Sequence, residues 1–120
     1  MSLADDLGAE EYAYLTTKGR RTGRPHTIEI WFAPVGTSVW MIAGGGTSSD
    51  WVANLLADPA VTIRIGSRSF AGRARTVPGD AGEAAVARRL LGSRYQGWEE
   101  GRPLSEWAAT GLAVAVDLQL

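Results

Sequence analysis

The stretch "LTTKGRRTGRPHTIEIWF", Leu15 to Phe32, decides the fold. From Tyr12 to Thr17 the residues are mostly aromatic, branched or threonine, types that suit a pleated surface. "KGRRTGRP" then supplies turn chemistry: Gly19 and Gly23 are able to take positive φ, and Pro25 returns the chain to extended geometry. Beyond it Ile28, Ile30 and Phe32 fall on one face of a strand, and Thr27, Glu29 and Trp31 on the other. The reading is a β-hairpin whose long loop carries four cations, Lys18, Arg20, Arg21 and Arg24.

Working outward, "PVGTS" is a second turn and Val39 to Ala43 a third strand. "GGGTSSDW" leads into "WVANLLADP", where Trp51 pairs with Leu55 and Val52 with Leu56 at helical spacing. Ser48 or Ser49 can cap that helix, Asp50 suits its first turn and Pro59 closes it. "VTIRIG" and "RSFAGRARTV" are two strands joined by a link so short that they must run antiparallel. Asp80 and Glu83 are spaced as an N-cap and its N3 partner, Val86 and Leu90 share a helical face, and Gly92 is a natural stop. "GLAVAVDLQL" closes the chain as a strand. This order predicts a mainly β (α+β) domain spanning residues 1–120, with about six mostly antiparallel strands and two to three short helices, arranged as a small barrel or curled sheet.

Composition removes several classes of function. With 120 residues the chain fits one domain that buries about two-thirds of its unfolded surface. The absence of cysteine excludes disulfides, thiolate metal sites and a cysteine nucleophile, and agrees with a reducing compartment. One histidine, His26, makes a histidine-based metal site improbable, and no metal is expected. No apolar run approaches the roughly 20 residues that cross a bilayer, and the start is acidic where a secretory signal is basic, so a cytoplasmic protein is expected. One lysine against eleven arginines hints at a GC-rich bacterial genome. Net charge is only −1, which argues against a long nucleic-acid track; a local cluster of arginines in a neutral protein points to a small anionic group.

Two features attract anions. Arginine grips phosphate or carboxylate through paired hydrogen bonds, and four cations on one bend repel one another until an anion relieves them. The three glycines 44–46 add no packing and leave backbone accessible just before a helix start, where N–H groups point outward. Taken singly, each reads equally well as solvated loop. If the first three strands are neighbours, the two features come together at one site. Trp31 shares a face with Thr27 and Glu29 and so lines a groove or packs in the core, as Trp40 does; Tyr95, Trp98 and Trp107 either close a barrel mouth or wall a flat ring. Glu29, a carboxylate inside a strand, is explained by cross-strand pairing with an arginine. No nucleophile, base and orienting acid assemble, which suits a protein whose chemistry comes from a cofactor.

With "YLTTKGRRTGRPHTIEIW" and "AGGGTSSDWVANLLADPAVTIRIG" the chain resembles the deazaflavin-dependent nitroreductase family, the split β-barrel, FMN-binding-like flavin and deazaflavin oxidoreductases of actinobacteria. The likeness is good from about Tyr14 to Val77. It implies a split barrel holding coenzyme F-420, an 8-hydroxy-5-deazaflavin with a phosphate and an oligoglutamate tail, with FMN as the alternative. Carried onto this sequence, Arg20, Arg21, Thr22 and Arg24, with Pro25, would meet the anionic portion. His26, Thr27, Ile28, Glu29 and Ile30 would run beside the ribityl chain and ring, and Ala43, Gly44, Gly45, Gly46 and Thr47 would give backbone contacts. Trp51, Asn54 and Leu55 match the helix that flanks the cofactor in the family. Tyr95 and Trp98, with Trp31, are the substrate-side candidates; the catalytic residues themselves are not identified.

The implied activity is hydride transfer between the reduced deazaflavin and a small electron-poor molecule: a quinone, an enone or a nitro compound. The alternatives are a non-catalytic flavin, deazaflavin or tetrapyrrole binder and an FMN-dependent reductase. Partners are limited to that small molecule, with no nucleic acid and no membrane span. A homodimer through Trp107 or the last strand is allowed and not required.

Overall fold

A computed structural model describes residues 7–77 and 81–120. Its strands are β1 (Ala13–Lys18), β2 (Pro25–Ile30), β3 (Ala33–Val35), β4 (Ser38–Ala43), β5 (Ala60–Ile65), β6 (Arg68–Val77) and β7 (Leu112–Leu118). Among the described residues three α-helices accompany them, α1 (Asp50–Ala57), α2 (Gly82–Gln96) and α3 (Glu106–Thr110), with a 3-10 turn at Gly46–Ser48. The seven strands make one sheet in the order β2-β1-β5-β6-β7-β4-β3, antiparallel at every pairing. Its two edge strands, β2 and β3, are consecutive in the chain and joined only by Trp31 and Phe32, so the sheet must curl to bring its edges together. The result is the half-open barrel expected, with seven strands where about six were predicted. The extra one is β3: three residues containing Pro34 read as a turn, but an edge strand tolerates a proline because it needs no donor on its outer side.

Alternation along the strands sorts side chains into two layers. Leu15, Ile63, Met41, Val114 and Val116 fill the inside of the curl with Phe32 and Leu55. Trp40, Ile42, Ala113 and Ala115, the intervening residues of β4 and β7, face outward against Ala84, Ala87 and Leu91 of α2. Both faces of β4 and β7 are therefore covered, which is why those strands read as continuous apolar runs. Gly72 sits where β6 passes from β5 to β7; a Cβ there would come within 2.9 Å of the Asp117 carbonyl oxygen.

The α2 face differs from expectation. Val86 and Leu90 do share a face, but it is the solvent side, at 41% and 42% exposure, while the small residues Ala84 and Ala87 are buried. Alanine lets the helix lie close to the sheet, so the apolar bulk does not mark the buried side. Gly92 does not end α2: it packs under Leu104 and Trp98 inside the helix, and Gly97, at φ 67°, makes the left-handed stop, with the Trp98 N–H returning to the Gly92 carbonyl at 3.1 Å. The proposed cap Asp80 lies outside the described residues. In α1 Val52 and Leu55 are buried and Leu56 is exposed; Ser49 occupies the cap position without a capping side-chain bond.

Arg75 ties three elements on the outside of the sheet. It donates to Asp117 of β7 at 2.8 Å and to Glu83 of α2 at 2.6 Å, and Ser38 of β4 also donates to Asp117 at 2.6 Å. Hydrogen bonds from Arg75 hold both carboxyls below the usual carboxylate range. Groups with a lowered folded pKa contribute stability above their unfolded value, near 4, and that contribution is lost as pH falls through the folded value. Arg75→Ala is therefore expected to lower the melting midpoint at pH 7, with the gap to wild type shrinking below about pH 4. A thermal-denaturation series against pH checks this; a gap that grows in acid refutes it.

Candidate functional site

The bend between β1 and β2 is built on tight backbone contacts. Gly19 N–H donates to the Arg24 carbonyl at 2.8 Å, Gly23 N–H to the Gly19 carbonyl at 2.8 Å, and Gly23 takes φ 74°. Gly19 does not take positive φ; a Cβ there would come within 2.7 Å of the His26 ring and 3.0 Å of the Arg24 carbonyl oxygen, so glycine lets the bend close tightly.

Those contacts splay the four cations. Arg20 turns onto α1, where its Nη1 donates to Asn54 Oδ1 at 2.8 Å, its backbone N–H to the same oxygen at 3.2 Å and its Nη2 to Asp50 Oδ1 at 3.2 Å. Asn54, 3% exposed, donates in turn to the Thr17 hydroxyl at 3.2 Å. Arg20 thus fastens the bend to the helix, and Asp50 matches its charge. Arg21 is exposed and makes no ion pair among the described residues. Lys18 and Pro25 line a separate cleft with Arg73 on the far side of the hairpin, and Arg24 caps back through its N–H onto Thr22 Oγ1 at 3.2 Å.

A cleft of about 400 Å³ opens beside the bend. Arg20, Arg21 and Thr22 line it from the loop, His26, Thr27 and Ile28 from β2, and Asp50, Trp51 and Asn54 from α1. Further along β2 is a second cleft of about 400 Å³, lined by Glu29, Ile30 and Trp31 together with Tyr12, Ile42 and Trp107. Its wall is aromatic. Trp31 stacks on Tyr95 with centroids 4.6 Å apart and planes 6° apart, and meets Trp107 edge-on at 5.3 Å. One edge strand therefore runs from a basic cleft to an aromatic one; six residues of strand span about 20 Å.

Tyr95 backs this wall rather than lining the cleft. Its hydroxyl accepts from the Phe32 N–H at 3.1 Å and Arg94 Nε at 3.0 Å and lies 2.7 Å from the Glu11 carbonyl, so it latches the β2–β3 corner to α2. Trp98 is not at either cleft; its Nε1 donates to the Arg102 carbonyl at 2.7 Å and its ring packs on Gly92. Leu55 is core, at 1% exposure. Glu29 stands opposite Tyr14, with no ion pair to an arginine among the described residues, because an edge strand has a neighbour on one side only.

The glycine turn flanks the start of α1 but lines a different cleft from the bend. Ala43, Gly44 and Gly46 border a space of about 450 Å³ shared with Arg88 of α2, whereas Gly45 abuts Ser49 and Thr47 is exposed. The two anion-attracting features, expected to come together at one site, therefore open onto separate clefts with no lining residue in common.

Sequence reasoning passed over Tyr12, Ile42, Asp50 and Arg88. Tyr12 had a signal: with Ala13 opposite Ile30, the hairpin register sets Tyr12 against Trp31. Glu11, through its charge and hydrogen bonding, raises the Tyr12 phenol above its ordinary value. Ile42 and Arg88 reach their clefts only through the closing of the sheet and had none.

A model of the family described as F420H(2)-dependent quinone reductase matches residues 3–118. Among curated proteins nothing matches. Solved structures that resemble the chain include the conserved hypothetical protein Rv2991 from Mycobacterium tuberculosis, at 22% identity and TM-score 0.73, covering 100% of this chain and 82% of that one. An F420 reductase is similar at 22% identity and TM-score 0.67, covering 98% and 93%. The heme storage protein HutZ from Vibrio cholerae is similar at 14% identity and TM-score 0.75, covering 100% and 92%. At such identities these likenesses show the split-barrel fold alone, which hosts more than one cofactor. The family model spans nearly the whole chain, and it carries the cofactor with it, coenzyme F-420. The chain belongs to the F420H(2)-dependent quinone reductase family and is an F-420-dependent oxidoreductase.

Proposed function

We propose that the protein reduces a small electron-poor acceptor, a quinone, an enone or a nitro compound, at the aromatic cleft, with the coenzyme lying along β2. The observation that carries this reading is that β2 borders both clefts, Thr27 and Ile28 the basic one and Glu29 and Ile30 the aromatic one. The residues fit the group: a flat indole face at one end suits a planar tricycle, and an unneutralised guanidinium at the other suits the glutamate tail. Reduced F-420 supplies a hydride when bound. Arg21, Thr22 and His26 hold the anionic end, Thr27 to Ile30 flank the middle, and Trp31 with Trp107 bounds the ring and keeps water from that side. Tyr12, with its phenol protonated, presents a donor to the acceptor's oxygen. The protein's contribution is orientation and exclusion of water, while the bond making belongs to the coenzyme.

The test is a fluorescence titration with F-420 followed by stopped-flow mixing of the reduced complex with menadione. Micromolar binding and acceptor-dependent reoxidation are expected. Arg21→Ala should weaken binding by about 1–2 kcal/mol, roughly tenfold, with folding intact, since one charge-assisted contact is lost from a wet site. Unchanged affinity would move the tail away from the bend, and binding without reoxidation would remove the reductase reading.

A further inference from the structure

Arg88 is 6% exposed on the face of α2 that otherwise buries Ala84, Ala87 and Leu91. Its hydrogen bonding stops at one contact, Nη1 to the Ala108 carbonyl at 2.9 Å, and its buried Nε has no partner. No carboxylate pairs with it among the described residues. A buried charge without a counter-ion is costly, and an aliphatic side chain would fill the same place without that cost. Arg88 borders the space of about 450 Å³ at the ends of β4, β6 and β7, together with Gly44 and Gly46. Thr76 also borders it, with a hydroxyl that bonds nothing among the described residues.

We propose that this cleft is a phosphate-binding site, in which the unpaired Nη2 of Arg88 donates to one oxygen and Thr76 and the open glycine backbone meet the others. Nη1 is spent on α3 and Nε is enclosed by protein, which leaves Nη2 as the guanidinium's open donor for a charge-assisted hydrogen bond to an oxyanion. The ligand is either free phosphate or the phosphodiester of the coenzyme; the second source rests on the function proposed above, the first does not.

The whole chain is titrated with inorganic phosphate against chloride at matched ionic strength, reading the melting midpoint, in wild type, Arg88→Met, Thr76→Val and Arg21→Ala. A saturable rise is expected in wild type and in Arg21→Ala, absent in Arg88→Met and weakened several-fold in Thr76→Val, which keeps the test open if Arg88→Met does not fold. A second arm compares binding of F-420 with that of its phosphate-free deazaflavin core. A preference for F-420 of about tenfold that Arg88→Met or Thr76→Val reduces assigns the phosphodiester, and a phosphate effect with no such preference assigns the free ion. No saturable phosphate effect in wild type, together with equal binding of the two deazaflavins, overturns the site; loss of the phosphate effect in Arg21→Ala overturns it too, by moving the anion to the bend. Failure of F-420 to bind at all, with the phosphate effect intact, sinks the function proposed above and leaves this site standing.

Discussion

Trp31→Ala is expected to weaken coenzyme binding by about 2 kcal/mol, roughly thirtyfold, and to destabilise the fold by about 2–3 kcal/mol. The indole is held on two sides, face to face with Tyr95 at 4.6 Å and edge-on to Trp107 at 5.3 Å, so removing it opens the aromatic cleft and strips both neighbours of their contact. It also weakens the corner that joins the two sheet edges, because Tyr95 is the group that holds the Phe32 backbone and Trp31 covers its ring. Trp31→Phe separates the two effects. A phenyl ring keeps most of the stack and should recover stability to within about 1 kcal/mol, while a smaller platform restores only part of the affinity. Fluorescence titration and thermal unfolding of the three proteins give the comparison. If Trp31→Ala binds F-420 as tightly as wild type, the ring does not sit at this wall and the assignment of the two ends of β2 is wrong.

How far the sequence could be read depended on the range of the interactions. The β1–β2 hairpin was legible because its signals are local: alternation on either side of a glycine-marked bend sets both strands and their register. Helix α1 was legible for the same reason, from its helical spacing and the Pro59 that closes it. The α2 face was not, because small residues buried it, and closeness of approach to a sheet leaves no periodic trace. The joint between Trp31 and Trp107, and the reach of Arg88 to the glycine turn, are set by the curl of seven strands, a property of no single segment. Likewise one lysine and three arginines within seven residues suggested one patch, but the bend distributes them to different faces and uses Arg20 as a fastening. Residue type indicated the chemistry available; only the fold decides which cation is left free to use it.

That distinction sets the last expected result, on Asn54→Ala. Asn54 is buried and serves three bonds at once, accepting from the backbone and side chain of Arg20 and donating to Thr17, which is 1% exposed. Truncation leaves Thr17 and the Arg20 N–H without partners in a place that water reaches poorly. The expected cost is about 3 kcal/mol, a fall of roughly 10 °C in melting midpoint for a domain of this size. Asp50→Ala makes the contrast: its carboxylate is 89% exposed, so the Arg20 ion pair is screened and its loss should cost about 0.5 kcal/mol. Equal effects of the two substitutions would mean that charge and not the buried amide holds the bend. Asn54→Ala should also weaken F-420 about tenfold without removing any cation, because Arg21 and Thr22 then have to be ordered at the moment of binding. Cooling restores folding of the variant but not that ordering, so the affinity loss should persist at temperatures where the protein is fully folded; if it disappears there, the bend is rigid on its own account and Asn54 acts on stability alone.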